Sequence, residues 1–158
     1  MNNFPIIYLG DHKALMRTVW GQIMILDTRD ALLAPHLLLD GFWEAWMTKA
    51  FRNVVHEGMT VVDVGANIGY YTLMAASLVG DKGRVYSFEP HPEVFGMLTR
   101  NVHVNYFFYN VTLVQQAVLH ERGKIDFFLR RDYPGNSSVG EVPSSHPRRV
   151  LRCRYAKN

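Results

Sequence analysis

Cysteine is almost absent from this chain. The single Cys153 excludes an internal disulfide and a multi-cysteine metal site. No metal is expected, and a cytoplasmic protein is the default. Long apolar runs are missing too. Stretches such as Ala31–Leu39 are broken by Pro35 and His36, and none approaches the roughly 20 residues needed to span a bilayer. No membrane partner is therefore expected. The N-terminus, MNNFPIIYLGDHK, has no basic start followed by a long apolar core, so a signal peptide is not expected. There is no internal repeat, and no G-x-G-x-x-G run of the kind that admits a dinucleotide pyrophosphate.

What is present suits one globular domain. The 158 residues are 48% hydrophobic and 20% charged, ordinary values for a chain long enough to bury a core. The formal charge of +3 says little by itself. Its distribution is uneven: Arg130, Arg131, Arg148, Arg149, Arg152, Arg154 and Lys157 crowd the C-terminal region. No recognition motif accompanies them, so they read as a solvated face or tail, and a nucleic-acid partner is not expected.

The pattern along the chain divides near Gly58. Before it, Leu15–Trp20 and Ile23–Asp27 read as two strands of a hairpin around Gly21-Gln22. Trp43, Trp46, Met47, Ala50, Phe51 and Val54 then recur at helical spacing and predict an amphipathic helix. Asp40 would cap its start, and its apolar stripe would pack into the core. Residues 1–58 form one segment on this reading, and 59–158 the main domain. After Gly58, strands and helices alternate. Thr60–Val64 is apolar enough for a central strand covered on both faces. Ile68–Val79 predicts a helix, Arg84–Phe88 a strand, and Pro92 to about Asn105 a helix with His91 as its cap. Val111–Val114 predicts a third strand. This alternation implies an α/β fold with a parallel, doubly wound sheet. Beyond Val114 the alternation stops. Val118–Leu129 reads as a hairpin turning at Glu121–Lys124, Asp132–Pro147 as a loop, and Val150–Tyr155 as a short strand.

The chemistry is concentrated in Thr60–Thr72, TVVDVGANIGYYT. In an open parallel sheet, ligands bind at the carboxyl ends of the strands. Asp63, Gly65, Ala66, Asn67 and Gly69 fall at such an end. Gly65 would let backbone approach a ligand closely, and Gly69 would let the following helix pack on the strand. Glu89 closes the next strand, where a carboxylate can accept both hydroxyls of a ribose. The acid two residues before Gly65 would repel a pyrophosphate but suit a cation. S-adenosylmethionine carries a sulfonium and an ammonium and no phosphate, so it is favoured over NAD as the cofactor.

The segments VVDVGANIGYYT and RVYSFEPHPEVFGMLTRNVHVN resemble the FkbM family of S-adenosylmethionine-dependent methyltransferases. LLLDGFWEAW upstream and GNSS at Gly135–Ser138 are also similar to that family. The resemblance runs from about Arg17 to Ser138. It implies a Rossmann-like class I methyltransferase fold and, usually, O-methylation of a sugar or other secondary-metabolite hydroxyl. It also implies that Asp63, Gly65, Ala66, Asn67 and Gly69 surround the amino-acid part of the cofactor, and that Glu89 holds the ribose. Pro90 and His91 would lie beside the adenine, with Gln116 and Ala117 closing its other side.

One departure stands out. Family members continue into a fourth parallel strand with an acidic end, whereas this sequence reaches Asn158 with only three parallel strands. Thr60–Val64 would then lack a neighbour on one side. The fold is expected to be incomplete as given, needing a missing C-terminal half or a partner chain to finish the sheet. No catalytic residue is assigned. His56, His91, His103, His120 and His146 are candidates for a base in principle, but none has a supporting partner at telling spacing. A chain that only binds, without catalysis, is the alternative expectation.

Overall fold

The computed structural model describes residues 5–119, 123–129, 138–139 and 149–157. The chain opens with a three-stranded antiparallel sheet in the order β1-β2-β3, formed by Ile7–Gly10, Lys13–Arg17 and Ile23–Asp27. The expected hairpin is there, but its first strand ends at Arg17 and β1 adds a third member. Its connection runs from Thr18 to Gln22, where Thr18 N–H donates to the Gln22 carbonyl at 2.8 Å. Two helices follow, α1 (Leu33–Asp40) and α2 (Ala45–Val54).

The first helix was not legible, because Pro35 lies inside the apolar run. Pro is tolerated in the first turn of a helix, where its missing N–H has no partner to lose. Asp40 does not cap α2. It ends α1, and Gly41 turns the chain in the left-handed region at φ 77°. The predicted stripe is core only in part: Trp43 and Phe51 pack against the core, and Met47 is exposed. Trp46 is 72% exposed and Val54 67%, whereas Thr48 is buried. The inward face is Thr48 with Phe51, whose ring meets Tyr71 at 5.2 Å between centroids. A ten-residue helix at the surface buries a narrow face, and the aromatic spacing did not reveal which.

A parallel sheet follows, in the order β4-β5-β6 (Thr60–Val64, Arg84–Phe88, Val111–Val114). The helices α3 (Tyr70–Val79) and α4 (Pro92–Val104) make the crossovers. Helix α3 buries Tyr70, Thr72, Leu73, Met74, Ala75, Ala76 and Val79, which explains its nearly all-apolar sequence. Its C-terminal carbonyls are held by Asn110, whose Nδ2 donates to Ala76 at 3.0 Å and Gly80 at 3.1 Å.

Strand β4 was expected to be central and covered on both faces. Among the described residues it pairs only with β5, and burial alternates along it. Val61 and Asp63 face the helices; Val62 and Val64 are each 57% exposed. The β-branched run suits a strand at any position, so it does not report how many faces are covered.

After β6 come β7 (Ala117–Leu119), β8 (Gly123–Leu129), β9 (Ser138–Val139) and β10 (Arg149–Lys157), in a sheet ordered β7-β10-β8-β9. The C-terminal antiparallel pairing has partners other than those read from the sequence. β8 pairs with β10 and β9, and β10 lies parallel to β7, between it and β8. Residues 121–122 of the expected turn lie outside the described residues, as does most of the expected loop.

Candidate cofactor-binding site

The three parallel strands end in register, with Val64 opposite Phe88 and Phe88 opposite Val114. Everything one or two residues past those positions therefore meets at one sheet edge. The Phe88 carbonyl accepts from the N–H groups of both Gly65 and Ala66 at 2.9 Å. The Val114 carbonyl accepts from Glu89 at 3.2 Å and Gln116 at 2.9 Å. Backbone bonds alone thus bring the loops after β4, β5 and β6 together.

The bend between β4 and α3 alternates its handedness. Gly65, Asn67 and Gly69 all have positive φ, at 77°, 51° and 100°. A Cβ on Gly65 would find no atom within 4 Å, so this glycine borders open space. Gly69 serves a different contact from the one expected. A Cβ there would lie 2.7 Å from Leu98 Cδ1, so its smallness admits α4 rather than the strand.

Glu89 is buried and faces the bend. Its Oε2 accepts from Asn67 N–H at 3.0 Å and its Oε1 from His91 N–H at 2.8 Å. A carboxylate oxygen can accept twice, so each has capacity for a further donor. Burial pushes the Glu89 carboxyl above its ordinary value, the two backbone N–H bonds oppose this, and the nearby Asp63 charge adds to it. Asp63 is likewise raised by burial, against a hydrogen bond from Thr72. Thr72 Oγ1 donates to Asp63 Oδ2 at 2.6 Å and lies 2.9 Å from Ser87 Oγ. His91 caps α4 as expected, its Nδ1 accepting from Glu93 N–H at 3.2 Å. Burial lowers its affinity for a proton.

The sequence-derived residues therefore separate into two groups. Asp63, Gly65, Ala66, Asn67, Gly69, Glu89, Pro90 and His91 lie in the bend and the segment hydrogen-bonded to it. Gln116 joins them through the Val114 carbonyl. Ala117 is buried and begins β7, opposite Tyr155 of β10. The sequence reading passed over Thr72, Ser87 and Asn101. Thr72 and Ser87 were detectable as hydroxyls in otherwise apolar elements.

Two carboxyls raised above their ordinary values by desolvation, Glu89 buried and Asp63 half-buried, are stabilised in ionised form by a cation. With open space at Gly65 and acceptor capacity on Glu89, this environment fits S-adenosylmethionine.

The fold is that of Rossmann-like class I methyltransferases. Its likeness to the solved structure of P. horikoshii TYW2 in complex with MeSAdo has a TM-score of 0.50 at 20% identity, covering 70% of this chain and 38% of that one. The methyltransferase FkbM domain matches residues 63–152, and the chain belongs to that family, for which S-adenosylmethionine is the expected cofactor. A protein-L-isoaspartate O-methyltransferase of Methanococcoides burtonii is 35% identical over 104 residues, 66% of this chain and 47% of that protein. The enzyme of the same name from Methanothrix thermoacetophila is 46% identical over 48 residues, 30% of this chain and 23% of its own length. The chain thus spans less than half the length of these relatives.

Proposed function

We propose that this chain, alone or within a longer protein, binds S-adenosylmethionine for O-methylation of a small-molecule hydroxyl, such as that of a sugar or other secondary metabolite. The observation that carries the cofactor half is the half-buried Asp63 with the buried Glu89, both raised in pKa beside a bend that is open at Gly65. In this reading Asp63, Gly65, Ala66, Asn67 and Gly69 surround the amino-acid part of the ligand. Glu89 accepts from the ribose hydroxyls, Pro90 and His91 flank the adenine, and Gln116 and Ala117 close its far side.

S-adenosylmethionine supplies a methyl group already activated by its sulfonium. The chain's contribution is to orient the ligand and exclude alternatives. Asp63 and Glu89 together disfavour a phosphate and favour a positive charge. The choice of a hydroxyl acceptor rests on the FkbM family; the relatives named as isoaspartate methyltransferases support a protein carboxylate as the rival acceptor. A second reading, in which the chain binds without turnover, is favoured by the exposed Val62 and Val64 on a strand that, among the described residues, is paired on one side only.

Transfer of labelled methyl from S-adenosylmethionine to a panel of sugars, hydroxylated metabolites and isoaspartyl peptides tests these readings. Label on a hydroxylated small molecule is expected. Label on the peptide alone replaces the acceptor, and cofactor binding with no label on any acceptor supports the second reading.

A further inference from the structure

We propose that Asn101 is a positioning residue for the cofactor site, acting through the Ile68 carbonyl; this rests on the cofactor reading above. The bend from Gly65 to Gly69 alternates positive and negative φ, so no regular ladder supports it. Its hydrogen bonds run to Phe88 and Glu89 on one side, and Gly69 N–H closes onto the Ala66 carbonyl at 2.9 Å. The point where the bend enters α3 is held from elsewhere. Asn101, 0% exposed on α4, donates from Nδ2 to the Ile68 carbonyl at 2.8 Å.

The same amide grips the N-terminal sheet. Its Oδ1 accepts from Ile25 N–H at 2.7 Å, and its Nδ2 donates to the Ile25 carbonyl at 3.0 Å. Both of its donor hydrogens are thus used, one on β3 and one on the bend. One turn further, at the C-cap of α4, Asn105 treats Ile23 in the same way. It accepts from Ile23 N–H at 2.9 Å and donates to the Ile23 carbonyl at 2.6 Å. Two residues along a strand advance about 6.7 Å and four along a helix about 6 Å, so one helix can serve successive outward-facing pairs of a strand edge. The two asparagines take the place of a neighbouring strand at the edge of β3. They differ in one respect: Asn105 spends its other bond on the Asn101 carbonyl at 2.7 Å, whereas Asn101 spends it on the bend.

That difference separates positioning from general stability. Asn101→Ser removes both the β3 clamp and the hold on Ile68; Asn105→Ser removes a β3 clamp and leaves Ile68 held. Affinity for S-adenosylmethionine is measured by calorimetry beside thermal midpoints, and amide exchange at Gly69 is followed on ligand-free protein. Asn101→Ser is expected to lose about tenfold in affinity or more and to speed Gly69 exchange, while Asn105→Ser, at a similar loss of thermal midpoint, stays within about twofold on both. Where Asn101→Ser does not fold, Asn101→Asp takes its place. It keeps the volume and the Oδ1 acceptor for Ile25 N–H but puts an oxygen against both the Ile68 and the Ile25 carbonyls, so Asn105→Ser remains the control for the loss at β3. Equal losses of affinity in the two variants, or wild-type affinity with unchanged Gly69 exchange in the Asn101 variant, would overturn the proposal. If the wild-type chain binds no S-adenosylmethionine, the cofactor reading fails by itself. The hold on the bend is then decided by Gly69 exchange alone: faster only in the Asn101 variant sustains it, and equal rates in both variants overturn it.

Discussion

Gly69→Ala should separate two costs that Gly65→Ala does not combine. At Gly69 the new Cβ would sit 2.7 Å from Leu98 Cδ1, about 1 Å inside a comfortable carbon–carbon contact. Leu98 is 0% exposed, so its methyl has little room to retreat. Overpacking of this kind costs about 1–3 kcal/mol. The φ of 100° adds about 1–2 kcal/mol for any residue with a side chain. The sum is roughly 2–5 kcal/mol, or a fall of roughly 4–20 °C in thermal midpoint for a chain of this length. At Gly65 there is strain at φ 77° but no atom within 4 Å, so Gly65→Ala should cost only about 1–2 kcal/mol. It should nevertheless weaken S-adenosylmethionine binding, because its Cβ enters the space left for the ligand. Urea denaturation of both variants gives the comparison. A Gly69→Ala/Leu98→Ala double variant then tests the clash, because it should be more stable than the sum of the single losses by about 1 kcal/mol or more. Equal costs at Gly65 and Gly69, or strict additivity in the double variant, would refute this account of the bend.

Further outcomes follow from the same geometry. Glu89→Ala should weaken S-adenosylmethionine by about 1–3 kcal/mol through lost ribose bonds, and wild-type affinity in calorimetry would remove Glu89 from the ribose. Thr72→Val should destabilise the fold by about 1–3 kcal/mol, since half-buried Asp63 loses its hydroxyl donor; a neutral effect on the urea midpoint would count against the Ser87–Thr72–Asp63 chain. Asp63 and Glu89 titrate above their ordinary 3.8 and 4.5, so the folded protein holds their protons more tightly than the unfolded chain. Their contribution favours folding at acid pH and is lost as pH rises from those ordinary values through the raised ones. A cationic ligand prefers both groups ionised, so affinity should fall as pH drops through the raised range, and a flat profile would contradict the charge argument. Asp27 has the opposite sign. The Arg29 guanidinium, and behind it Lys13, hold its carboxyl well below the usual carboxylate range. That contribution is present above 3.8 and lost as pH falls through the depressed value, so Asp27→Asn should flatten the acid limb of the stability profile.

Local chemistry made much of this molecule legible. Strands β4, β5 and β6 fall where their apolar runs predict them, and His91-Pro92 marks the start of α4, because a cap acceptor and a fixed φ act within a few residues. The bend was readable for the same reason: glycines at 65 and 69 are needed whatever surrounds them. Properties set by distant contacts were not readable. Nothing local reports how many neighbours Thr60–Val64 has, nor decides that Trp46 faces outward while Thr48 faces in. The insertion of β10 between β7 and β8 depends on residues about thirty positions away in sequence. Asn101 and Asn105 show the limit most clearly. Their spacing of four places them on one side of α4, but their partners, Ile25 and Ile23, lie more than seventy residues earlier.

The central claim is that the sheet edge around Gly65 and Glu89 is a site for S-adenosylmethionine. Calorimetric titration of the wild-type chain and of Gly65→Val with S-adenosylmethionine, and in parallel with NAD, tests it most directly. The account predicts micromolar-range binding of S-adenosylmethionine by the wild type, loss of that binding in Gly65→Val, and none with NAD. No heat with S-adenosylmethionine at concentrations well above that range, or NAD bound as tightly, would contradict it.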